Sequence, residues 1–576
     1  MLTTKTPLVV LTLLLFSIKT FSQEIQWAEN IQSSKSKDCA FSFIGEDSEN
    51  IYSSFSDGGK KFLTAFSRSS LKPEFEEQIP KLTVGKQKIK TYSPIFCKDK
   101  YIIFGTFIKK NKKTKTEKKS IKYNIVAFTA DKHSGEVNTK PIKLCNIKIE
   151  KDENNKRGTF RFYTSPDNSK ILISHIAFHE KKQTTIGHYK LFDNNLNLIQ
   201  EFSENFTKNN KGNRMLKNNN NIVIDDKGSI YYRIGFQKIV SLDASKNYEK
   251  HVENISFEKK TNNTRTSRTK FTFDQEGNII LFGFYNKYKY DKQVGLYDGK
   301  LKGTFYIKIN PRSKKIISQK ISDFDASLLK DLTTLIEIRK EQYVEEARNG
   351  RLSGTMFVWI DDIFNKFDFS FQKDGGLVVI AESIRRFFQY NEESLRDKYN
   401  REIDRYKYLS SKTYQYDDFL VLNISPKGDL KWVKHIPKKQ YFYQSSNSDR
   451  SCTSGTFNGS FKLGGFIDSF NYTKYFSTIS SVSNKKITVI YNSHHKNTFK
   501  THTKDIKTLE KIKNADVNAA VYDVKTGSFK SKKVLNGDQK SHPLCPRVHY
   551  KTKDKKSIIV FGQINKNYRL GKLILN

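Results

Sequence analysis

The chain predicts an all-β protein, a β-propeller of seven or eight four-stranded blades. A polar turn followed at once by a β-rich run recurs eight times, and a second strand–turn–strand pattern alternates with it. Composition agrees. Tyr (29) and Phe (43) are abundant across 576 residues, whereas Gly (29) and Pro (11) are sparse, which suits sheet better than disorder.

At the N-terminus, Lys5 precedes the apolar stretch Leu8 to Phe16, and Thr20-Phe21-Ser22 offers small residues where a signal peptidase cuts. Residues 1–22 are expected to be a signal peptide, with Gln23 opening the mature chain. The apolar run is short of the roughly 20 residues a transmembrane helix needs, and the first Cys, Cys39, is too distant for a lipoprotein anchor. No later run reads as a membrane span. The remaining residues, 23–576, exceed what one ordinary hydrophobic core supports, so a repeat architecture is expected in which each unit packs on its neighbours.

The first pattern begins at Glu46-Asp47-Ser48-Glu49-Asn50-Ile51-Tyr52 and Lys98-Asp99-Lys100-Tyr101. It returns at Ser165-Pro166-Asp167-Asn168-Ser169, Asp225-Asp226-Lys227-Gly228-Ser229 and Asp274-Gln275-Glu276-Gly277-Asn278. The last three copies are Lys373-Asp374-Gly375-Gly376, Asn484-Lys485-Lys486 and Asp554-Lys555-Lys556. Such residues ahead of β-branched side chains are hairpin chemistry. Between the copies fall Val126 to Ile142, Leu191 to Ile199, Val421 to Trp432 and Val521 to Gly527, each a strand, a tight turn and a strand leading out. An inner hairpin then an outer hairpin is one propeller blade read along the chain. The last unit, ending at Tyr568 to Leu575, is one outer strand short, and Ile25-Gln26-Trp27-Ala28 could supply it and close the ring.

The turn Ser165-Pro166-Asp167-Asn168-Ser169-Lys170-Ile171 resembles that of bacterial Tol-system-type propeller repeats. A further set of strings covers roughly residues 355 to 576: Asp374 to Glu382, Tyr416-Asp417-Asp418-Phe419-Leu420-Val421, Trp432 to Gln440 and Tyr568 to Lys572. This set is similar to a group of exported Bacteroidota proteins with propeller-like repeats and no known activity. The resemblance implies an envelope setting and transfers no catalytic residue.

Two segments break the strand rhythm and are expected to be helical insertions. In 325–350 the apolar residues fall at 328, 329, 332, 335, 336, 343, 344 and 347, with Asp325 as a cap and Asn349-Gly350 as a stop. In 382–408 Phe387, Phe388, Leu395, Tyr399, Ile403 and Tyr406 stand among many charges. Insertions of this kind emerge on a propeller's face, where ligands are met.

The formal charge of +42 suggests a polyanion partner, but Lys far outnumbers Arg and Asn is common, so compositional drift outweighs dedicated phosphate reading. The run Lys109 to Lys119 reads as a solvated hairpin tip. Five Cys (39, 97, 145, 452 and 545) allow two disulfides at most and leave one thiol, and no Cys-x-x-Cys occurs.

No motif specifies a reaction, and no catalytic residue, metal ligand or cofactor is assigned. Asp361-Asp362 is the most suggestive acidic pair, yet adjacent strand residues point to opposite faces and cannot flank one sugar. Ser451-Cys452-Thr453-Ser454-Gly455 lacks a nucleophile elbow. His494-His495 and His502 read as a surface loop, and His175 with His179 lacks a third ligand. The expected function is a non-enzymatic binding or scaffold propeller, exported to the periplasm or surface of a Gram-negative cell, with an envelope protein or glycan as partner. The expected contact residues are Trp359, Asp361, Arg385, Arg386, Phe388 and Tyr390, in or beside the interruption. The alternative is an envelope enzyme acting on an acidic polysaccharide, with carboxylates such as Asp361 or Glu382 drawn from several blades. Non-specific polyanion binding through charge alone is the third reading.

Overall fold

Each blade of the protein alternates its side chains between two neighbours, and this alternation explains the near-continuous apolar runs of the middle strands. In Tyr101-Ile102-Ile103-Phe104, Ile102 and Phe104 enter one buried cluster with Ile171 and Ile173, while Tyr101 and Ile103 enter another with Tyr52 and Leu63. In Leu377 to Ala381, Leu377, Val379 and Ala381 pack on Ile280 and Phe282, and Val378 and Ile380 on Ile487 and Val489. A period of two inside an apolar run is what a sheet buried on both faces requires.

This computed structural model describes residues 24–32, 40–57, 59–110, 120–150, 159–179, 184–207, 222–234, 238–255, 264–291, 296–329, 366–396, 402–445, 474–483, 485–497, 500, 502, 505–534, 543–554, 557–564 and 567–574. They form eight blades of four antiparallel strands in a ring. Numbered along the chain, blades 1 to 4 have the innermost strands Ala40–Glu46, Ile95–Cys97, Thr159–Thr164 and Ile222–Ile224. Blades 5 to 8 begin at Thr264–Phe273, Lys366–Phe371, Thr478–Val482 and Leu544–Lys551. One apolar cluster fills each junction between consecutive blades. The junction between blades 8 and 1 joins Phe41, Ile51 and Phe66 to Ile559, Phe561 and Leu570, with the rings of Phe41 and Phe561 stacked 4.7 Å apart. Burying each such side chain stabilises by about 1.5–3 kcal/mol.

Blade 8 is completed from the other end of the chain. Glu24–Trp27 pairs antiparallel with Asn567–Ile574 as its outer strand, Glu24 opposite Ile574 and Trp27 opposite Gly571. Ile25 is buried between blades 7 and 8, and the Arg569 guanidinium lies 4.4 Å over the Trp27 ring.

All eight copies of the polar turn join the first strand of a blade to its second, and the alternating pattern joins the third strand to the fourth. By antiparallel geometry both kinds end on one face, the tight-turn face. Asp chemistry shapes them. Asp225 Oδ1 accepts from the Lys227 and Ser229 amides at 3.1 and 2.7 Å, and Asp274 Oδ1 accepts from those of Glu276 and Asn278 at 3.0 and 2.8 Å. The left-handed residue that closes these turns is Gly at 135, 228, 277, 375, 428 and 527, and a larger residue such as Asn168, Leu196 or Lys314 at others. At Gly428, φ is +92° and an added Cβ would lie 2.4 Å from the Tyr306 ring of blade 5. Gly428→Ala is therefore expected to destabilise by about 1–3 kcal/mol, read by denaturant unfolding.

The hairpins between second and third strands, and the connections from one blade to the next, end on the opposite face, here called the arm face. Two sequence expectations are corrected or limited there. The described residues of 382–408 are strand, not helix. The second strand of blade 6 is Leu377–Arg396 and the third is Glu402–Ile424, paired from Leu377 opposite Ile424 out to Arg396 opposite Glu402. The aromatic residues that fit a helical spacing are also strong strand formers, and continuing two strands already paired costs less than nucleating a helix. In the other segment Asp325 does cap a helical turn at 326–329, accepting from the Leu328 amide at 2.8 Å. The rest of 325–350 lies outside the described residues, as do residues 1–22, Cys39, the 451–455 run, Trp359, Asp361 and Asp362.

Candidate binding surface

The blade 6 hairpin continues well past the ring. Among the described residues, the first strand of the blade accompanies it to Glu382, opposite Lys366, and the fourth strand, Leu430–Ser445, to Ser411. Beyond that, Tyr390–Arg396 and Glu402–Leu409 pair with each other alone among the described residues. At about 3.3 Å per residue, the stretch from Glu382 to Arg396 spans roughly 45 Å. Of the predicted contact residues, Arg385, Arg386, Phe388 and Tyr390 stand along this arm, opposite Gln415, Tyr414, Lys412 and Leu409.

A buried polar network holds the root of the arm. Glu382 is 1% exposed, and its carboxylate accepts from Lys438 Nζ and from the Ser477 hydroxyl. Lys438 Nζ also donates to Gln440 Oε1 at 3.1 Å. Gln440 Oε1 in turn accepts from the Ser477 amide at 3.0 Å, while its Nε2 donates to the Asn492 carbonyl at 2.7 Å. Asn492 Nδ2 reaches the carbonyls of Tyr475 and Leu544 at 2.7 and 2.8 Å, tying blade 6 through blade 7 to blade 8. On the other side of the root, Asp418 accepts from the Lys438 amide at 2.9 Å and lies 2.9 Å from His435 Nε2. Tyr416, Phe476, Leu509 and Ala515 form a small apolar cluster beneath, and Tyr441 donates its amide to the Leu509 carbonyl at 3.0 Å. The arm thus rises from a fixed platform.

Nearer the ring axis, three inner strands meet in an ion pair. Lys551 of blade 8 donates to Asp368 of blade 6 at 2.8 Å, and Ser480 of blade 7 hydrogen-bonds to both. Burial alone would raise the Asp368 carboxyl, but the Lys551 charge and these hydrogen bonds outweigh it and hold it well below the usual carboxylate range.

These carboxylates are engaged within the protein. Glu382, one of the two acids the enzymatic reading relies on, is occupied by Lys438 and Ser477. The histidines also differ from a simple loop. His494 is buried at the end of Lys486–His494, and burial followed by the nearby His495, Lys507 and Lys496 lowers its pKa, while His502 is exposed. His175 is enclosed by the Phe160 and Tyr123 rings, 4.4 and 5.4 Å away. Among the described residues no three His, Cys, Asp or Glu side chains are grouped as metal ligands. Cys97, Cys145 and Cys545 are free thiols, pushed up by burial to about 11, 12 and 12, which keeps them protonated and weakly nucleophilic at neutral pH.

No protein-family model and no curated protein matches the sequence. Solved structures similar to the chain include the Dos1 propeller, 6% identical with a TM-score of 0.31, covering 95% of each chain. The polysaccharide lyase Uly1 is 9% identical with a TM-score of 0.35, covering 97% of this chain and 98% of its own. A post-proline cleaving enzyme from Rickettsia typhi is 10% identical with a TM-score of 0.28, covering 66% of this chain and 48% of its own. At these scores and identities, the propeller assignment stands on the strand pairing itself. No helix among the described residues is long and apolar enough to cross a membrane.

Sequence reasoning did not single out Lys438, Gln440, Asp418, Asp368 or Lys551. One signal was present: the strings Tyr416 to Val421 and Trp432 to Gln440 set polar residues inside apolar strand runs, and they carry much of the network.

Proposed function

We propose that this chain is an exported, non-enzymatic propeller that binds an envelope protein or glycan through its arm face, in the periplasm or on the surface of a Gram-negative bacterium. The observation that carries the reading is the blade 6 arm, a two-stranded ribbon raised on a buried, hydrogen-bonded root. A ribbon whose edges are unpaired among the described residues is a ready site for a partner, because it offers main-chain hydrogen bonds along both sides. A fixed root lowers the ordering cost of binding. The engagement of Glu382 and Asp418 inside the root fits binding better than turnover.

The test is capture of partners from cross-linked native envelopes by tagged protein, washed at low and then high salt. Joint replacement of Arg385, Arg386, Phe388 and Tyr390 by Ala is expected to reduce high-salt capture at least 10-fold. Unchanged capture removes these residues from the interface, and material lost entirely at high salt leaves charge as the sole attraction.

A further inference from the structure

On the tight-turn face, several cations are neutralised within the fold. Lys132 pairs with Asp47 at 3.1 Å, Lys308 with Asp274 at 2.9 Å, Lys314 with Asp243 at 3.3 Å and Lys320 with Asp429 at 3.1 Å. The connection from blade 1 to blade 2, which runs on the arm-face side, is different. Between Glu77 and Asp99 the chain carries Lys81, Lys86, Lys88, Lys90 and Lys98 and no carboxylate. Among the described residues, none of Lys81, Lys86, Lys88 and Lys90 has an ion-pair partner, and all four are exposed.

The connection is built, not loose. Thr83–Val84 and Gln87–Lys88 form a small hairpin, and Lys90–Thr91 pairs with the second strand of blade 2 at Thr106 and Gly105. Leu82 is buried, and Val84 and Ile89 pack against the core between blades 1 and 2, which turns Lys88 and Lys90 outward. Lys61 donates to the Thr91 hydroxyl at 2.9 Å and pins the segment to blade 1. Lys88 and Lys90 lie two residues apart on the strand side of this hairpin, about 7 Å between positions along extended backbone, and Lys86 stands in the turn just before them.

We propose that this lysine ladder is a binding site for a linear acidic polysaccharide. The inference deepens the binding reading above and rests on it for the choice of glycan as partner. Widely spaced single charges on a fixed edge match a polymer with one acidic group per sugar or per few sugars. Duplex nucleic acid presents a charge about every 1.7 Å, and its readers favour the forked Arg, which this segment lacks. Base stacking would need open aromatic faces. The aromatics here are used internally: Phe107 is buried, and Tyr92 bonds its hydroxyl to Thr106 at 3.3 Å and lies 4.8 Å from the Phe162 ring.

The experiment is calorimetric titration of the purified mature protein with polygalacturonate, neutral dextran and duplex DNA at low and moderate salt. Lys81, Lys86, Lys88 and Lys90 are changed together to Gln in one variant. In a control of equal charge, the exposed tight-turn lysines Lys227, Lys246, Lys427 and Lys525 are changed to Gln. The expected result is polygalacturonate binding weakened at least 10-fold in the first variant and less than 2-fold in the control, with no dextran binding. Equal losses in the two variants, tighter binding of DNA than of polygalacturonate, or no polygalacturonate binding at low salt would each overturn the proposal. Because the titration uses purified protein, it can fail while envelope capture by the arm succeeds, and the reverse.

Discussion

Lys438→Ala is expected to destabilise the protein by about 3–5 kcal/mol, read by urea unfolding followed through Trp and Tyr fluorescence. The size follows from burial. Lys438 has no exposed side-chain surface and its partner Glu382 is 1% exposed, so removing the ammonium leaves an interior carboxylate without its cation, still hydrogen-bonded by Ser477. Gln440 loses a donor at the same time. The pair itself need not be a large net gain, since desolvating two charges offsets much of their attraction. A Lys438→Met, Glu382→Leu double variant should therefore recover most of the loss. A single-variant loss under about 1 kcal/mol would mean that the pair is not what fixes the root.

The second large effect is on binding and not on stability. Residues 390–410 can be removed and Gln389 joined to Ser411 through Asn-Gly, because those two residues already face each other in register. The ring should keep its stability to within about 1 kcal/mol. The deleted ribbon pairs with no other strand among the described residues, and an isolated two-stranded hairpin is marginal on its own. All the interblade cores remain, including the blade 5–6 cluster around Phe282 and Val379 and the blade 6–7 cluster around Val378 and Val489.

The frame of the fold was legible in the sequence because it is written locally. Asp225 and Gly228, or Asp274 and Gly277, sit at offsets that a tight turn demands, and all eight such turns mark a blade. The outer strand Glu24–Trp27 was legible because the last unit visibly lacked one. The arm was misread because its aromatic and charged residues have no clean period of two, and runs such as Phe387-Phe388 fit a helical stripe as well as a strand. Pairing partners nearby in the chain decided the matter, with Arg386 opposite Tyr414. The root network was illegible for another reason. Glu382 meets Lys438 and Ser477 across 56 and 95 residues of sequence, and Lys551 meets Asp368 across 183, so only the pairing of blade 6 and its packing with blades 7 and 8 bring them together.

The most direct test of a binding propeller with its site on the arm face compares capture from cross-linked native envelopes by the intact protein and by the arm-shortened one, matched for folding by their urea midpoints. A stoichiometric partner that survives high salt with the intact protein and disappears with the shortened one is the predicted result. The same partner retained in the same amount by the shortened protein would contradict it and move the binding surface off the ribbon beyond Gln389.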